Sequence, residues 1–355
     1  MSGLASVQKI LKLSEILGAD QIEVADVLGW KCVVKKGEYK EGDLICYIQI
    51  DVVVPETEQF EFLRERKFRV RTIKLRKQIS QGLVIPLPKG SFVEGEDITD
   101  LIGVKKYTKE QELVEDRPKK PKIWYKKIWY EIKFRFLVKL FPSLKTYNRA
   151  EFPNHLVSKT DEERIQNFPH VLEQFKGKKF VVSEKLDGSS ITIIHEKSNF
   201  QSKFRICSRR FELFNKSNDW YRVFESTNFK EHILKLVEHY KTNDIIVQGE
   251  AIGKFNGNRY GLVQDDIRLF NIFVNKVKLS QDEFYSVCKR WNIPVCPYEG
   301  VVIMNYTLEE IIKISEGKSV LNNQVEREGL VYRLIEDGSL SFKVINNQYL
   351  LKYGE

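Results

Sequence analysis

The chain has 355 residues, 42% apolar and 30% charged, enough for two domains with separate cores. No window approaches the ~18 apolar residues of a membrane span, and Met1 to Leu13 lacks the apolar run and small-residue cleavage site of a secretory leader, so a cytoplasmic or nuclear protein with no membrane partner is expected. The 58 Lys+Arg exceed 49 Asp+Glu for a net charge of +9, favouring an anionic partner such as nucleic acid; five scattered cysteines (Cys32, Cys46, Cys207, Cys288, Cys296), without a Cys-x-x-Cys pair or a nearby His cluster, indicate neither a zinc site nor a disulfide framework.

Residues 1–105 are expected to be all-β after a short opening segment. Apolar runs at Ile22–Val27, Lys31–Val34, Leu44–Ile50, Arg69–Ile73 and Gly82–Ile85 are separated by turn signals at close intervals. Strands this short and this closely spaced suit a small barrel, and the OB-fold is the barrel whose faces most often bind oligonucleotides. A basic stretch (Arg64, Arg66, Lys67, Arg69, Arg71, Lys74, Arg76, Lys77) crosses its middle. Strict alternation would put Lys67, Arg69 and Arg71 on one strand face, either as a nucleic-acid contact or as a solvated surface. The segments Gly18-Ala19-Asp20-Gln21-Ile22-Glu23, Gly29-Trp30, Gly42-Asp43 and Ile79-Ser80-Gln81-Gly82-Leu83 resemble the N-terminal OB module of a family of RNA ligases.

Residues 106–150 form a linker of different composition. Arg117 to Lys139 carries nine Lys/Arg and a single acid, Glu131, while Trp124, Ile128, Ile132, Phe136 and Leu140 recur every fourth residue. The pattern predicts a basic, aromatic, amphipathic helix bracketed by Pro118, Pro121 and Pro142. An interdomain strut, a nucleic-acid contact and a membrane-surface helix all fit it.

Residues 151–355 read as a mixed α+β domain. Helices are expected at Thr227–Tyr240, Ser280–Trp291 and Thr307–Ser315, among strands at Phe180–Glu184, Ser190–His195, Arg205–Ser208, Ile245–Glu250, Arg268–Val274, Gly329–Leu334 and Ser341–Ile345. Gly317-Lys318-Ser319 mimics the end of a phosphate-binding P-loop, but the required first glycine falls on Ile312. The five histidines show no metal-ligand spacing.

The stretch from Val181 to Ile194 is predicted to be strand, polar loop, strand, with Lys185 in the loop. A lysine amine is nucleophilic only when deprotonated, so a reactive Lys185 needs desolvation or nearby cations to lower its pKa. A solvated lysine in an ordinary hairpin fits the same residues.

Short polar signatures follow at strand ends: Lys185-Leu186-Asp187-Gly188, Ser208-Arg209-Arg210, Gly249-Glu250, Leu269-Phe270-Asn271-Ile272, Glu328-Gly329-Leu330-Val331-Tyr332 and Ser341-Phe342-Lys343. In this order they resemble the motifs of the covalent nucleotidyltransferase superfamily. The chain is most similar to the RNA ligases of the Deinococcus/Naegleria type, with an OB domain followed by a nucleotidyltransferase (ATP-grasp-like) domain. That resemblance covers most of the chain apart from residues near 108–145. The segment from Lys159 to Asn167 is similar to the family's lead-in to the lysine motif, which implies a nucleotide contact for Gln166.

The resemblance implies an ATP-dependent ligase that joins 3′-OH and 5′-phosphate RNA ends, with a nicked duplex as substrate and a monomeric enzyme. Lys185 would take AMP from ATP, Lys343 would neutralise phosphate, and Asp187, Glu250 and Glu328 would hold Mg²⁺ or Mn²⁺, with acceptance from a ribose hydroxyl the other role open to Glu250. Phe270 would stack on adenine, and Arg209 would touch the ribose or the incoming strand. DNA ligases and capping enzymes place their OB domain after the last motif, whereas here Glu355 follows Lys343 closely. One departure is visible: the family's second lysine after Lys343 is Ile345, leaving phosphate neutralisation to Lys343 and Arg333. An RNA- or tRNA-binding protein that has lost catalysis is the alternative.

Overall fold

The computed structural model describes residues 3–107, 149–198, 201–214, 216, 218–336, 338 and 340–353. The expected basic helix at 117–140, and most of the 106–150 linker, lie outside these residues. Among the described residues no helix is long and apolar enough to cross a membrane.

The N-terminal part contains β1 (Ala5–Glu15), β2 (Ile22–Val27), β3 (Trp30–Lys35), β4 (Leu44–Ile48), β5 (Val52–Val53), β6 (Arg69–Val70), β7 (Ile73–Leu75), β8 (Gln78–Ser80), β9 (Leu83–Ile85), α1 (Thr99–Ile102) and β10 (Lys105–Lys106). Its main sheet has the order β3-β2-β1-β4-β9. The opening segment is therefore a central strand. The first half of β1, Ala5 to Lys9, pairs with β4, and its second half, from Ile10, pairs with β2 across a register shift between Ile10 and Lys12. That bulge bends the strand between its two partners, so that the sheet curls as a small barrel requires.

The basic stretch does not present one face. Lys67 and Phe68 both take positive φ (53° and 55°), which breaks the alternation. Arg69 turns inward, where its Nη2 is 3.2 Å from Asp51 Oδ1 and its guanidinium lies 3.5 Å from the centre of the Tyr107 ring.

The C-terminal part contains β11 (Arg149–Glu151), β12 (Glu163–Arg164), α2 (Val171–Gln174), β13 (Lys179–Lys185), β14 (Ser189–Ser198), β15 (Gln201–Ser208), β16 (Phe211–Leu213), α3 (Asp219–Ser226) and α4 (Phe229–Tyr240). It continues with β17 (Ile245–Ile252), β18 (Asp266–Val274), β19 (Val277–Lys278), α5 (Gln281–Arg290), β20 (Tyr298–Ile303), α6 (Leu308–Ser315), β21 (Gly329–Leu334), β22 (Ser341–Ile345) and α7 (Asn347–Tyr353). Two sheets result, β11-β16-β15-β14-β17-β18-β19 and β12-β22-β21-β13-β20, antiparallel apart from the β12–β22 pair. The α+β class is the expected one.

Helices α3, α4 and α5 cover the first sheet by burying Phe224, Phe229, Ile233, Leu236, Phe284 and Val287 against its Ile191, Val247 and Leu269. The starts of α3 and α5 are set locally: Asn218 accepts from the Tyr221 amide and Ser280 from the Glu283 amide. Successive strands β13 and β14 belong to different sheets. The Lys185–Ser189 connection thus passes from one sheet to the other instead of closing a hairpin.

The two parts share a core. Ile345, Tyr349 and Leu350 pack with the barrel residues Trp30, Ile45, Tyr47 and Val84. Polar contacts frame that core: Trp30 Nε1 donates to Asn167 Oδ1 at 2.7 Å, Gln81 Nε2 to Asn347 Oδ1 at 3.2 Å, and Arg164 pairs with Asp51 at 2.7 Å. Gly29 donates its amide to the Gln166 carbonyl at 2.9 Å. A Cβ on Gly29 would lie 2.8 Å from the Gln166 Cα, so only glycine permits this approach.

Candidate active site

The site lies where the strands bearing the polar signatures end. Lys185 closes β13 and pairs in register with Gly329 at the start of β21, which carries the preceding residue, Glu328, to the lysine. Lys185 Nζ stands 2.7 Å from Glu328 Oε1. A Cβ on Gly329 would lie 2.2 Å from the Val344 carbonyl, so glycine lets the strands close here. On the other sheet Ser190 faces Glu250 across β14 and β17. Gly188 lies in the connection; a Cβ there would meet the Ala251 carbonyl at 2.6 Å and Glu250 Cγ at 2.7 Å.

Electrostatics set the protonation states. Burial alone would pull the Lys185 amine down, but Glu328, Glu250 and Asp187 together outweigh it and hold its pKa above the ordinary value. This reverses the expectation of a lowered pKa: the loop supplies desolvation, but three converging carboxylates supply more. Glu250 moves the other way, to about 8, because burial and the negative charge of Glu328 and Asp187 outweigh the attraction of Lys185. Lys343 is depressed to about 8 by burial and by the positive charges of Arg164 and Lys185, against the pull of Asp161 and Glu162.

Asp187 is gripped on two sides. Arg259 Nε lies 2.6 Å from its Oδ2, and its backbone amide donates to Tyr260 Oη at 2.7 Å. Asp161 ties three cations: Lys343 and Lys106, each at 3.4 Å, and Arg209 in close contact. Burial pushes the Asp161 carboxyl up, but these three cations outweigh it and hold it well below the usual carboxylate range.

Phe270 lies on β18, partly buried, with the Arg333 guanidinium 5.6 Å from its ring centre. Arg333 is itself buried, donating to Ser183 Oγ and Glu162 Oε1 at 3.0 Å each, so its guanidinium is engaged within the protein and is not disposed as the phosphate neutraliser the sequence suggested. Gln166 is 1% exposed in a 3₁₀ turn over Ile165–Asn167, and its side-chain oxygen has no hydrogen-bond partner among the described residues. A buried acceptor left open in this way suits a ligand donor.

The structure thus gathers Lys185, Asp187, Glu250 and Glu328 around one point, with Lys343 linked through Asp161 to Arg209. Among the described residues no three acidic, His or Cys side chains converge closely enough to chelate a metal directly. The carboxylates beside Glu250, whose pKa is raised to about 8 first by burial and then by the charge of Glu328 and Asp187, nevertheless suit a divalent cation held through its water shell. All five cysteines are buried and free. Asp161, Arg164 and Arg259 were not singled out from the sequence. Asp161 and Arg164 stand within the lead-in segment, whereas nothing local marks Arg259.

Comparisons with known proteins agree with this layout. A family model described as an OB-fold domain matches residues 4–87, and one described as RNA ligase matches residues 178–345. A mutant Naegleria gruberi RNA ligase with ATP and Mn is 30% identical to this chain, covering 98% of each chain at a TM-score of 0.77. A mutant of the same ligase with AMP and Mn gives 31% identity, 98% of each chain and 0.77. The ligase with PPi gives 30% identity over 99% of this chain and 98% of its own, at 0.77. No curated protein matches the chain.

Proposed function

The chain belongs to the RNA ligase family, and from that premise we propose that it is an ATP-dependent ligase that seals 3′-OH and 5′-phosphate ends in nicked duplex RNA through an AMP adduct on Lys185. The observation that carries this reading is the Lys185 amine at the junction of the two sheets, paired with Glu328 at 2.7 Å and facing Glu250 and Asp187.

In the first step the Lys185 amine attacks the α-phosphorus of ATP, an N–P bond forms, and pyrophosphate leaves. The amine must first give up its proton. Glu328 is the nearest base, and incoming positive charge beside the carboxylates lowers the cost of that transfer. A divalent cation, Mg²⁺ or Mn²⁺, held by Asp187, Glu250 and Glu328 through its water shell would supply that charge and screen the phosphates. Lys343 places its cation toward the phosphate, Phe270 offers a face for adenine, and Gln166 offers a buried acceptor.

In the second step an oxygen of the RNA 5′-phosphate attacks the adenylyl phosphorus and the Lys185 N–P bond breaks. In the third, the 3′-OH of the neighbouring end attacks the 5′-phosphorus, a phosphodiester forms, and AMP leaves. Arg209, exposed beside Asp161, is disposed to meet the incoming 5′ end. The barrel would grip the flanking duplex through phosphate contacts from exposed cations such as Lys74, Arg76 and Lys77.

The alternative, an RNA-binding protein with decayed catalysis, drew mainly on Ile345. That side chain is 2% exposed in the core shared with the barrel, so its replacement of a lysine leaves no gap beside Lys185. Incubation with α-labelled ATP and a divalent metal is the test. Covalent label is expected on the wild type and none on Lys185→Ala; an unlabelled wild type, or undiminished label on the variant, refutes the reading.

A further inference from the structure

We propose that Arg259 is a positioning residue for the adenylylation step and that helix α7 is the mount that aims it, so that docking of the barrel sets the geometry of Asp187. The inference rests on the function proposed above only in taking Asp187 to act in that step.

Three sets of contacts meet at Arg259. Its Nε holds Asp187 Oδ2 at 2.6 Å, with both side chains largely buried at 20% and 18% exposure. Its guanidinium lies 3.8 Å from the centre of the Tyr353 ring and 4.7 Å from that of Tyr349, both on α7. A guanidinium stacked on aromatic faces keeps its edge available for hydrogen bonding in its own plane, so the rings fix where that edge points. The next residue, Tyr260, accepts from the Asp187 amide at 2.7 Å. The pair Arg259–Tyr260 therefore holds both the carboxylate and the backbone of Asp187, two positions beyond the nucleophile.

The mount is fixed to the barrel. Tyr349 is fully buried and Leu350 is 1% exposed, in the core that contains Trp30, Tyr47 and Ile45. Asn347 accepts from Gln81 of the barrel at 3.2 Å, and the amide of Asn346, just before α7, donates to the Glu328 carbonyl at 2.9 Å. Helix α7 thus touches the barrel on one side and, through Arg259 and Asn346, two of the acidic residues of the site on the other. A shift of the barrel by a fraction of an ångström would reach Asp187 along this route.

The test is single-turnover labelling of the full chain with α-labelled ATP, comparing wild type, Arg259→Met, Arg259→Lys, Asp187→Asn, Tyr353→Ala and the Arg259→Met/Asp187→Asn double variant. Arg259→Met is expected to slow adenylylation about 10- to 100-fold, the scale of a small misplacement at a reacting centre. The ATP concentration giving half the maximal rate should move less than about threefold, since the base and ribose contacts are untouched. Arg259→Lys should recover part of the loss. The double variant should be no slower than Asp187→Asn alone. Tyr353→Ala, which leaves the ion pair's own atoms in place, should slow the reaction several-fold in a chain that circular dichroism shows still folded at the assay temperature.

Wild-type rates in Arg259→Met overturn the proposal, as do losses that multiply in the double variant. If Arg259→Met does not fold, wild-type rates in Tyr353→Ala overturn it instead. A wild type that takes no label would refute the parent reading, whereas a labelled wild type beside an equally labelled Arg259→Met would refute this one alone.

Discussion

Lys185 holds its proton in the nucleotide-free chain, while Lys343 and Glu250 sit near half-titration at neutral to slightly alkaline pH. Because the folded pKa of Lys343 is depressed to about 8, its charge is present below that value and lost above it. Glu250, raised to about 8, is neutral below and gains a negative charge above. Both changes make the site less hospitable to an anion as pH rises. AMP, a dianion across this range, is expected to bind about tenfold more weakly at pH 9 than at pH 7, the loss of protonated Lys343 over two units centred on its pKa; calorimetric titration at the two values measures it, and pH-independent binding would contradict the assignment. Lys185, Glu250, Glu328 and Lys343, to which the proposed function gives the chemistry, were legible through the order of the short polar signatures that hold them and the family resemblance of that order. Arg259 and Asp161 act through partners far along the chain, and such pairs leave no period or spacing to read. Arg69 misled for the converse reason, since two positive-φ residues just before it reversed the face that alternation assigned.

At the scale of elements, β22 shows how one strand serves two masters. Phe342 and Val344 point into the core of the second sheet, while Ile345 closes the core shared with the barrel. Ile345→Lys, which would restore the residue type usual in the family, is expected to destabilise the fold by about 3 kcal/mol or more, because the new ammonium would be buried without a partner. A urea midpoint unchanged from the wild type would show that this position is more open than described. Strands rich in β-branched residues, such as β14, β17 and β21, were legible from the sequence. Strand β1 was not, because the bulge at Ile10–Lys12 resets its alternation halfway. Short elements such as β12, β16 and α7 take their form from neighbours distant in sequence, so local propensity carried little of their signal. Helix α4 was legible with a boundary two residues out, Phe229 in place of Thr227.

At the scale of the molecule, Asp51 is the polar keystone between the two parts. It takes Arg69 of the barrel on one oxygen and Arg164 of the catalytic part on the other, at 3.2 and 2.7 Å. Asp51→Ala leaves two largely buried guanidinium groups without their carboxylate. The expected cost is about 2 kcal/mol, below the roughly 3–5 kcal/mol of a fully buried pair because Asp51 keeps 24% exposure. The loss should appear as a lower denaturation midpoint together with slower self-adenylylation, and a variant that matched the wild type in both would remove Asp51 from this role. The shared core also bears on timing. Ile345, Tyr349 and Leu350, which complete the barrel's packing, are synthesised long after the barrel's own strands. Contacts such as Gln81 with Asn347 span 266 positions and form late for the same reason. A chain cut before Asn346 would therefore keep the strands of the barrel and Lys185 itself, yet lose the packing that joins the one to the other.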